Sequence, residues 1–223
     1  MDIKNKLKNL PASPGVYVMK DAAGRVIYIG KAADLKKRVS GYFHKAKGSY
    51  KTDVLVSNIA DIDYVPTSSE EEALLLEAAL VREKQPKFNV MLKDDKRYPI
   101  LKLTLEEEFP RLVIARRKKP DGGMYFGPYT SAKLLRRALA ILRRLFVLRA
   151  CKPGQKTPCL YYHIGQCAGP CAGKIDKEKY IRVVEDLKLF LKGRKTELIG
   201  SIAERMKKAA AERRFEEASG FRD

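Results

Sequence analysis

The chain has 223 residues, 45% hydrophobic and 33% charged, a composition that can bury a core and excludes disorder of the chain as a whole. Forty-six Lys and Arg against 27 Asp and Glu leave a formal charge of +19, which points to a polyanionic partner, nucleic acid before membrane. No apolar run is longer than Ala138 to Leu142, so a membrane span is excluded, and the charged start Met1-Asp2-Ile3-Lys4 lacks the apolar centre of a secretory signal, so a cytoplasmic protein is expected.

Two tyrosine-bearing apolar segments, 15–20 and 25–30, flank the turn signal Asp21-Ala22-Ala23-Gly24 and predict a hairpin. With those four residues as the loop, Tyr17 sits directly across from Tyr28, both phenols on one face. Asp34 is the expected N-cap of a helix through Phe43, on which Arg38 and Tyr42 are four apart and share a side. Ile59 to Val65 reads as a third strand. Ser68 and Ser69, each followed three residues later by a glutamate, give a capping-box signature for a helix ending before Pro86. The order is β-β-α-β-α.

Beyond Pro99, Ile100 to Leu105 and Leu112 to Arg117 predict a small second sheet, broken at Asp121-Gly122-Gly123. Ser131 to Arg149 reads as one amphipathic helix whose basic residues, Lys133, Arg136, Arg137, Arg143, Arg144 and Arg149, have no acidic neighbour in sequence. This run is either a solvated face or, given the net charge, a phosphate-binding one. Two more helices, Lys177 to Leu191 and Thr196 to Ala211, are separated by Gly193.

Glu77 has Ala73, Leu74, Leu80 and Val81 as helical neighbours, so its carboxylate emerges on an apolar face, where such a group is ion-paired, protonated or bound to a metal. A strand tyrosine is ordinarily a packing residue. A phenol also acts as a base where a nearby cation lowers its pKa, and two facing phenols next to glycines and Lys31 fit that chemistry. All four cysteines, Cys151, Cys159, Cys167 and Cys171, lie within 21 residues, which in a reducing compartment argues for a metal site over disulfides. Their C-x7-C-x7-C-x3-C spacing suits an iron-sulfur cluster as well as zinc, with His163 as a further zinc ligand and buried structural thiols as a third reading.

Gly15-Val16-Tyr17 and Tyr28-Ile29-Gly30, followed by Lys31, Arg38, Tyr42, Glu77 and Asn89, resemble the GIY-YIG nuclease family with each signature position filled. Valine replaces the isoleucine of the first motif. Tyr42, where many GIY-YIG families have histidine, together with Lys87-Phe88-Asn89-Val90, Tyr125-Phe126-Gly127-Pro128-Tyr129-Thr130 and the cysteine segment, resembles the UvrC branch, the excinuclease subunit of bacterial nucleotide excision repair.

The resemblance implies an α+β fold: a GIY-YIG endonuclease domain at 1–99 with a central antiparallel three-stranded sheet flanked by helices, linking strands and a basic helix at 100–150, a cysteine-rich segment at 151–174 and a helical segment at 175–223. It implies Glu77 as the protein ligand of Mg2+ or Mn2+, Tyr28 as general base supported by Lys31, Tyr17 orienting water or phosphate, Arg38 neutralising the scissile phosphate, and Tyr42 and Asn89 completing the pocket. It also tilts the cysteines toward a 4Fe-4S cluster, with zinc as the alternative. The implied activity is cleavage of damaged double-stranded DNA on the 3′ side of a lesion in a complex with UvrB, with Lys133, Arg136, Arg137, Arg143 and Arg144 on the DNA. A GIY-YIG nuclease of another family and a non-catalytic DNA-binding scaffold are the competing readings. Met206 to Asp223 resembles the start of the UVR motif that binds UvrB, with its second helix incomplete, so a longer parent chain is expected.

Overall fold

The computed structural model describes residues 3–44, 50–90, 98–152, 154 and 157–222. Helix α1 (Ile3–Lys8) leads into strands β1 (Gly15–Lys20) and β2 (Val26–Ala32), then α2 (Leu35–His44), α3 (Tyr50–Ser57), β3 (Asp61–Pro66), α4 (Glu70–Lys84) and α5 (Lys87–Val90). The three strands form an antiparallel sheet in the order β2-β1-β3. The expected strand and helix order is present, with α1, α3 and α5 added. Val54 and Val56 of α3 are weak helix formers, and burial of Leu55 against the sheet supplies the support.

The hairpin differs from its expected register. Asp21 and Arg25 close a three-residue loop, with the Asp21 N–H on the Arg25 carbonyl at 3.0 Å and Gly24 at φ 75°. The Asp21 carboxylate accepts the N–H groups of Ala23 and Arg25. The register then shifts between Met19 and Lys20, leaving Ile27 as the extra residue of a bulge. Tyr17 therefore pairs with Gly30, and Tyr28 with Met19. The two phenols stay on one face as diagonal neighbours, ring centroids 6.1 Å apart.

Two motif glycines have packing reasons. A Cβ on Gly30 would collide with the Tyr17 ring, which lies across that position, and one on Gly15 would stand 2.6 Å from both Leu35 Cδ1 and the Val65 carbonyl. On the tyrosine face, Tyr17 and Met19 pack with Leu35, Val39 and Ile62, whereas Val16 and Ile29 meet Ala73 of α4 on the other. Helix α4 starts at a capping box: Ser69 accepts the Glu72 N–H at 3.1 Å, and the Glu72 carboxylate accepts the Ser68 N–H at 2.9 Å.

The second sheet contains β4 (Ile100–Leu103), β5 (Leu112–Ala115) and a strand not expected, β6 (Met124–Phe126), in the order β5-β4-β6. The Asp121-Gly122-Gly123 break is the turn into β6, pinned by Asp121 on Lys102 Nζ and the Tyr125 hydroxyl. Helix α6 (Ala132–Leu145) and α8 (Lys177–Leu191) cover this sheet, and Leu101, Leu112, Leu135, Leu142, Tyr180 and Leu187 form a core. Leu74 of α4 lies in the same core, so α4 packs on both units.

Helix α6 ends at Leu145 rather than Arg149. Val147 adopts φ 47°, and the Leu148 N–H closes back on the Arg143 carbonyl at 3.0 Å, a left-handed helix stop made without glycine. Leu148 and Arg149 are consequently buried. After α7 (Leu160–His163) and a 3-10 turn at Pro170–Ala172 come α8, α9 (Lys195–Ala211) and α10 (Phe215–Arg222), with Gly193 at φ 77° between α8 and α9. Asp223 lies outside the described residues, among which no helix is long and apolar enough to cross a membrane.

Because a Cβ at Gly15 meets the β3 backbone as well as Leu35, Gly15→Ala is expected to destabilise the fold by about 1–3 kcal/mol, the cost of overpacking a filled core. Urea unfolding reads this as a lowered midpoint, and an unchanged midpoint would show that the neighbours yield freely.

Candidate active site

In the order β2-β1-β3, one side of β2 has no strand partner among the described residues. Its outward backbone groups need other partners, because burying them unpaired is costly. Asn89 of α5 supplies two. Its Oδ1 accepts the Ile29 N–H and its Nδ2 donates to the Ile29 carbonyl, both at 2.8 Å, with the side chain buried. Glu77 of α4 supplies a third: Oε1 accepts the Lys31 N–H at 3.0 Å. These residues grip β2 on either side of Gly30.

Across the sheet edge stand three phenols. Tyr17 Oη and Tyr42 Oη are 2.9 Å apart, and the Tyr17–Tyr42 and Tyr28–Tyr42 ring centroids are separated by 5.9 and 6.5 Å. The Arg38 guanidinium carbon lies 5.4 Å from the Tyr42 ring centre, as the one-turn spacing on α2 requires. Burial, then Tyr28 and Tyr42, pushes the Tyr17 phenol well above its ordinary range. Burial, then Tyr42 and Glu77, does the same to Tyr28. Both are therefore neutral at physiological pH, and Tyr28 becomes a base only when a cation is brought beside it. Burial likewise raises the Glu77 carboxyl, opposed by the Lys31 N–H and the charges of Lys31 and Arg38.

Tyr17, Tyr28, Arg38, Tyr42, Lys31 and Glu77 thus converge at one edge of the sheet. Asn89 does not join the phenols: its amide is spent on Ile29, so it positions the Tyr28-Ile29-Gly30 segment. Glu77 Oε2 has no hydrogen bond among the described residues. A hard carboxylate oxygen in that position fits Mg2+ or Mn2+, which take few protein ligands and keep most of their water.

The basic helix departs from expectation at three residues. Arg137 reaches the buried carboxylate of Glu71 on α4 at 2.7 Å, and Arg149, off the helix, pairs with Glu107. Arg143 is half-buried, its Nε and Nη2 on the Leu112 carbonyl at 3.2 and 2.8 Å. Lys133, Arg136 and Arg144 are exposed with no ion pair among the described residues. Sequence reading missed the role of Glu71, whose place in the capping-box signature hid its tertiary partner.

The four cysteines are free thiols and electrostatic neighbours: burial and then Cys171 raise Cys151, and Cys151 and Cys159 act on Cys167 after burial. However, among the described residues no three His, Cys, Asp or Glu side chains are gathered to hold a metal. Cys167 is buried with its sulfur accepting the Gly169 N–H at 3.4 Å, whereas the other three thiols are half-exposed.

A family model described as the UvrC-like GIY-YIG domain matches residues 13–90, and one described as the UvrC/Cho excinuclease middle domain matches residues 98–190. The chain belongs to the UvrC family. UvrABC system protein C of Thermoanaerobacter sp. (strain X514) is 49% identical over 230 residues, covering 100% of this chain and 37% of that protein. The protein of the same name from Moorella thermoacetica is 47% identical over 227 residues, again with 100% and 37% covered. The chain therefore spans 37% of the length of these curated UvrC relatives. The crystal structure of the GIY-YIG N-terminal endonuclease domain of UvrC from Thermotoga maritima, bound to magnesium as its catalytic divalent cation, is 33% identical, covering 40% of this chain and 99% of that one with a TM-score of 0.36.

Since burial raises the Glu77 carboxyl above its unfolded value, its ionised form costs stability at every pH above that value and nothing below it. Glu77→Gln, which keeps an acceptor for the Lys31 N–H, is expected to raise the thermal midpoint of the metal-free protein at neutral pH and to leave it unchanged below about pH 4. A lower midpoint at neutral pH would contradict the assigned cost. Asn89→Leu should destabilise by about 1–3 kcal/mol, since it orphans a buried N–H and C=O. Chemical denaturation reads that loss, and an unchanged midpoint would contradict the edge-pairing role.

Proposed function

We propose that this chain is the part of a UvrC protein that makes a divalent-cation-dependent cut in damaged double-stranded DNA, on the 3′ side of a lesion, in a complex with a UvrB-like partner. The observation that carries this reading is the Glu77 carboxylate, tied by one oxygen to Lys31 and, among the described residues, free of hydrogen bonds at the other, beside Tyr28, Tyr17, Tyr42 and Arg38. Glu77 would hold Mg2+ or Mn2+, which would supply Lewis-acid stabilisation of a phosphoryl oxygen. Arg38, kept cationic beside the phenols, meets the charge that builds on the scissile phosphate. With the cation beside it Tyr28 would ionise, releasing its own proton to solvent, and the phenolate would accept the proton of the attacking water, which Tyr17, bonded to Tyr42, orients. Lys133, Arg136 and Arg144 contact flanking phosphates, and the α9–α10 hairpin faces the protein partner. The filled catalytic set argues against a non-catalytic scaffold, and the match over 98–190 against another GIY-YIG family. We read the cysteine segment as a separate structural site for a 4Fe-4S cluster or zinc, supported by its spacing and by the mutual influence of the thiols.

Glu77→Gln is expected to abolish Mg2+-dependent nicking while affinity for the same DNA in EDTA stays within about 2-fold, because the cation serves the transition state and the basic surface supplies binding. Tyr28→Phe and Arg38→Ala should each slow nicking about 100-fold with the fold retained. A Glu77→Gln protein keeping about a tenth or more of the wild-type rate would overturn the assignment, since a positioned charge contributes more than that.

A further inference from the structure

Between Gly122 and Ile175 the chain carries nine Lys or Arg and no Asp or Glu. Within this stretch α7 presents Leu160, Tyr161 and Ile164, which are 70%, 49% and 51% exposed. Nowhere else among the described residues do three exposed large apolar side chains fall within five positions. Scattered exposed apolar residues need no explanation, but a cluster of this kind marks a contact surface.

The cluster stands on a fixed base. The N–H groups of Tyr162 and His163 both bond the Cys159 carbonyl, at 3.0 and 3.3 Å, and the Gln166 N–H bonds Tyr161 at 2.8 Å. Tyr162 turns the other way, its ring filling the space where Gly169 has no side chain. Behind it Cys167 and Pro170 are buried, and the Ala168 N–H bonds the Val147 carbonyl at the end of α6 at 3.0 Å. Tyr161 is an electrostatic neighbour of Arg143, whose guanidinium is anchored on Leu112. Arg136 lies two turns back on the same flank of α6, next to exposed Lys133 and near Arg144.

Arg137 and Arg149 of this stretch are paired with Glu71 and Glu107, which leaves Lys133, Arg136 and Arg144 exposed without an ion pair among the described residues, a surplus of positive charge that suits a polyanion. A polyanion with apolar faces is a nucleic acid whose bases are unstacked. In an intact duplex those faces are occupied by neighbouring bases, whereas a distorted or single-stranded segment offers them to aromatic and aliphatic side chains.

Building on the DNA-nuclease reading above, we propose that Leu160, Tyr161 and Ile164 of α7 contact unstacked bases in distorted DNA, while Lys133, Arg136 and Arg144 hold the adjoining phosphates. Phosphate contacts bind any DNA, and α7 adds the preference for unpaired segments.

The test is fluorescence anisotropy of the whole chain, in EDTA so that incision plays no part, on a duplex with a short unpaired bubble and on its fully paired counterpart. The wild type is expected to bind the bubble about 10-fold more tightly, and Leu160→Ser/Tyr161→Ser/Ile164→Ser to bring the ratio to about 1 with the salt slope for paired DNA unchanged. Tyr161→Ala alone, at a half-exposed position, should give a partial loss and guards against misfolding of the triple variant. Absence of a bubble preference in the wild type, or an unchanged ratio in both variants, would overturn the proposal while leaving the nuclease reading intact. An unchanged ratio with weaker capture of the UvrB-like partner would reassign α7 to protein contact. Failure to bind either DNA would instead contradict the nuclease reading itself.

Discussion

The open side of β2 leaves the N–H and C=O of Ile29 and the N–H of Lys31 without a strand partner, and Asn89 and Glu77 meet them from two helices. This pairing explains why the site lies where it does. The Glu77 carboxylate at this sheet edge gives one oxygen to the backbone and leaves the other without a hydrogen bond among the described residues. The amide two residues back fixes the height of the strand, so Tyr28 and Gly30 are held on either side of Ile29. Gly30 in turn leaves room for the Tyr17 ring, which carries Tyr42 by its hydroxyl. Removing a link in this chain moves phenols as well as backbone.

Helix α4 ties that edge to the rest of the molecule. Ala73 packs under Val16 and Ile29 of the first sheet, while Leu74, one residue on, enters the core built from the second sheet, α6 and α8. Glu71 at the start of the helix is buried and takes Arg137 of α6 across the junction. The helix that places Glu77 is thus the one that joins the nuclease sheet to the basic helix. The placement of Glu77 relative to the basic helix is set by side-chain packing rather than by a linker.

Much of this was legible in the sequence, for physical reasons that differ by element. Ser69 and Glu72 announce α4 because a capping box is local chemistry, and Arg38 and Tyr42 declare their contact through helical spacing alone. The hairpin register was not legible, because Asp21 captures the Ala23 and Arg25 amides and a bulge at Ile27 shifts the pairing, and a bulge leaves no mark in an apolar pattern. The end of α6 was hidden because Val147 takes the left-handed position that glycine usually signals. Helix α3 and strand β6 owe their existence to packing against distant residues, which no local window contains. Asn89 was placed in the pocket by resemblance, yet its partners are backbone atoms 60 residues away, invisible to any side-chain pattern.

The proposed function depends on Glu77 acting as the cation's protein ligand at the β2 edge. Mn2+ binding followed by electron paramagnetic resonance, without DNA, tests this most directly. The wild-type chain should bind one Mn2+ that the Glu77→Gln chain does not, with Tyr28→Phe retaining it. Equal Mn2+ binding by the wild type and Glu77→Gln would contradict the account.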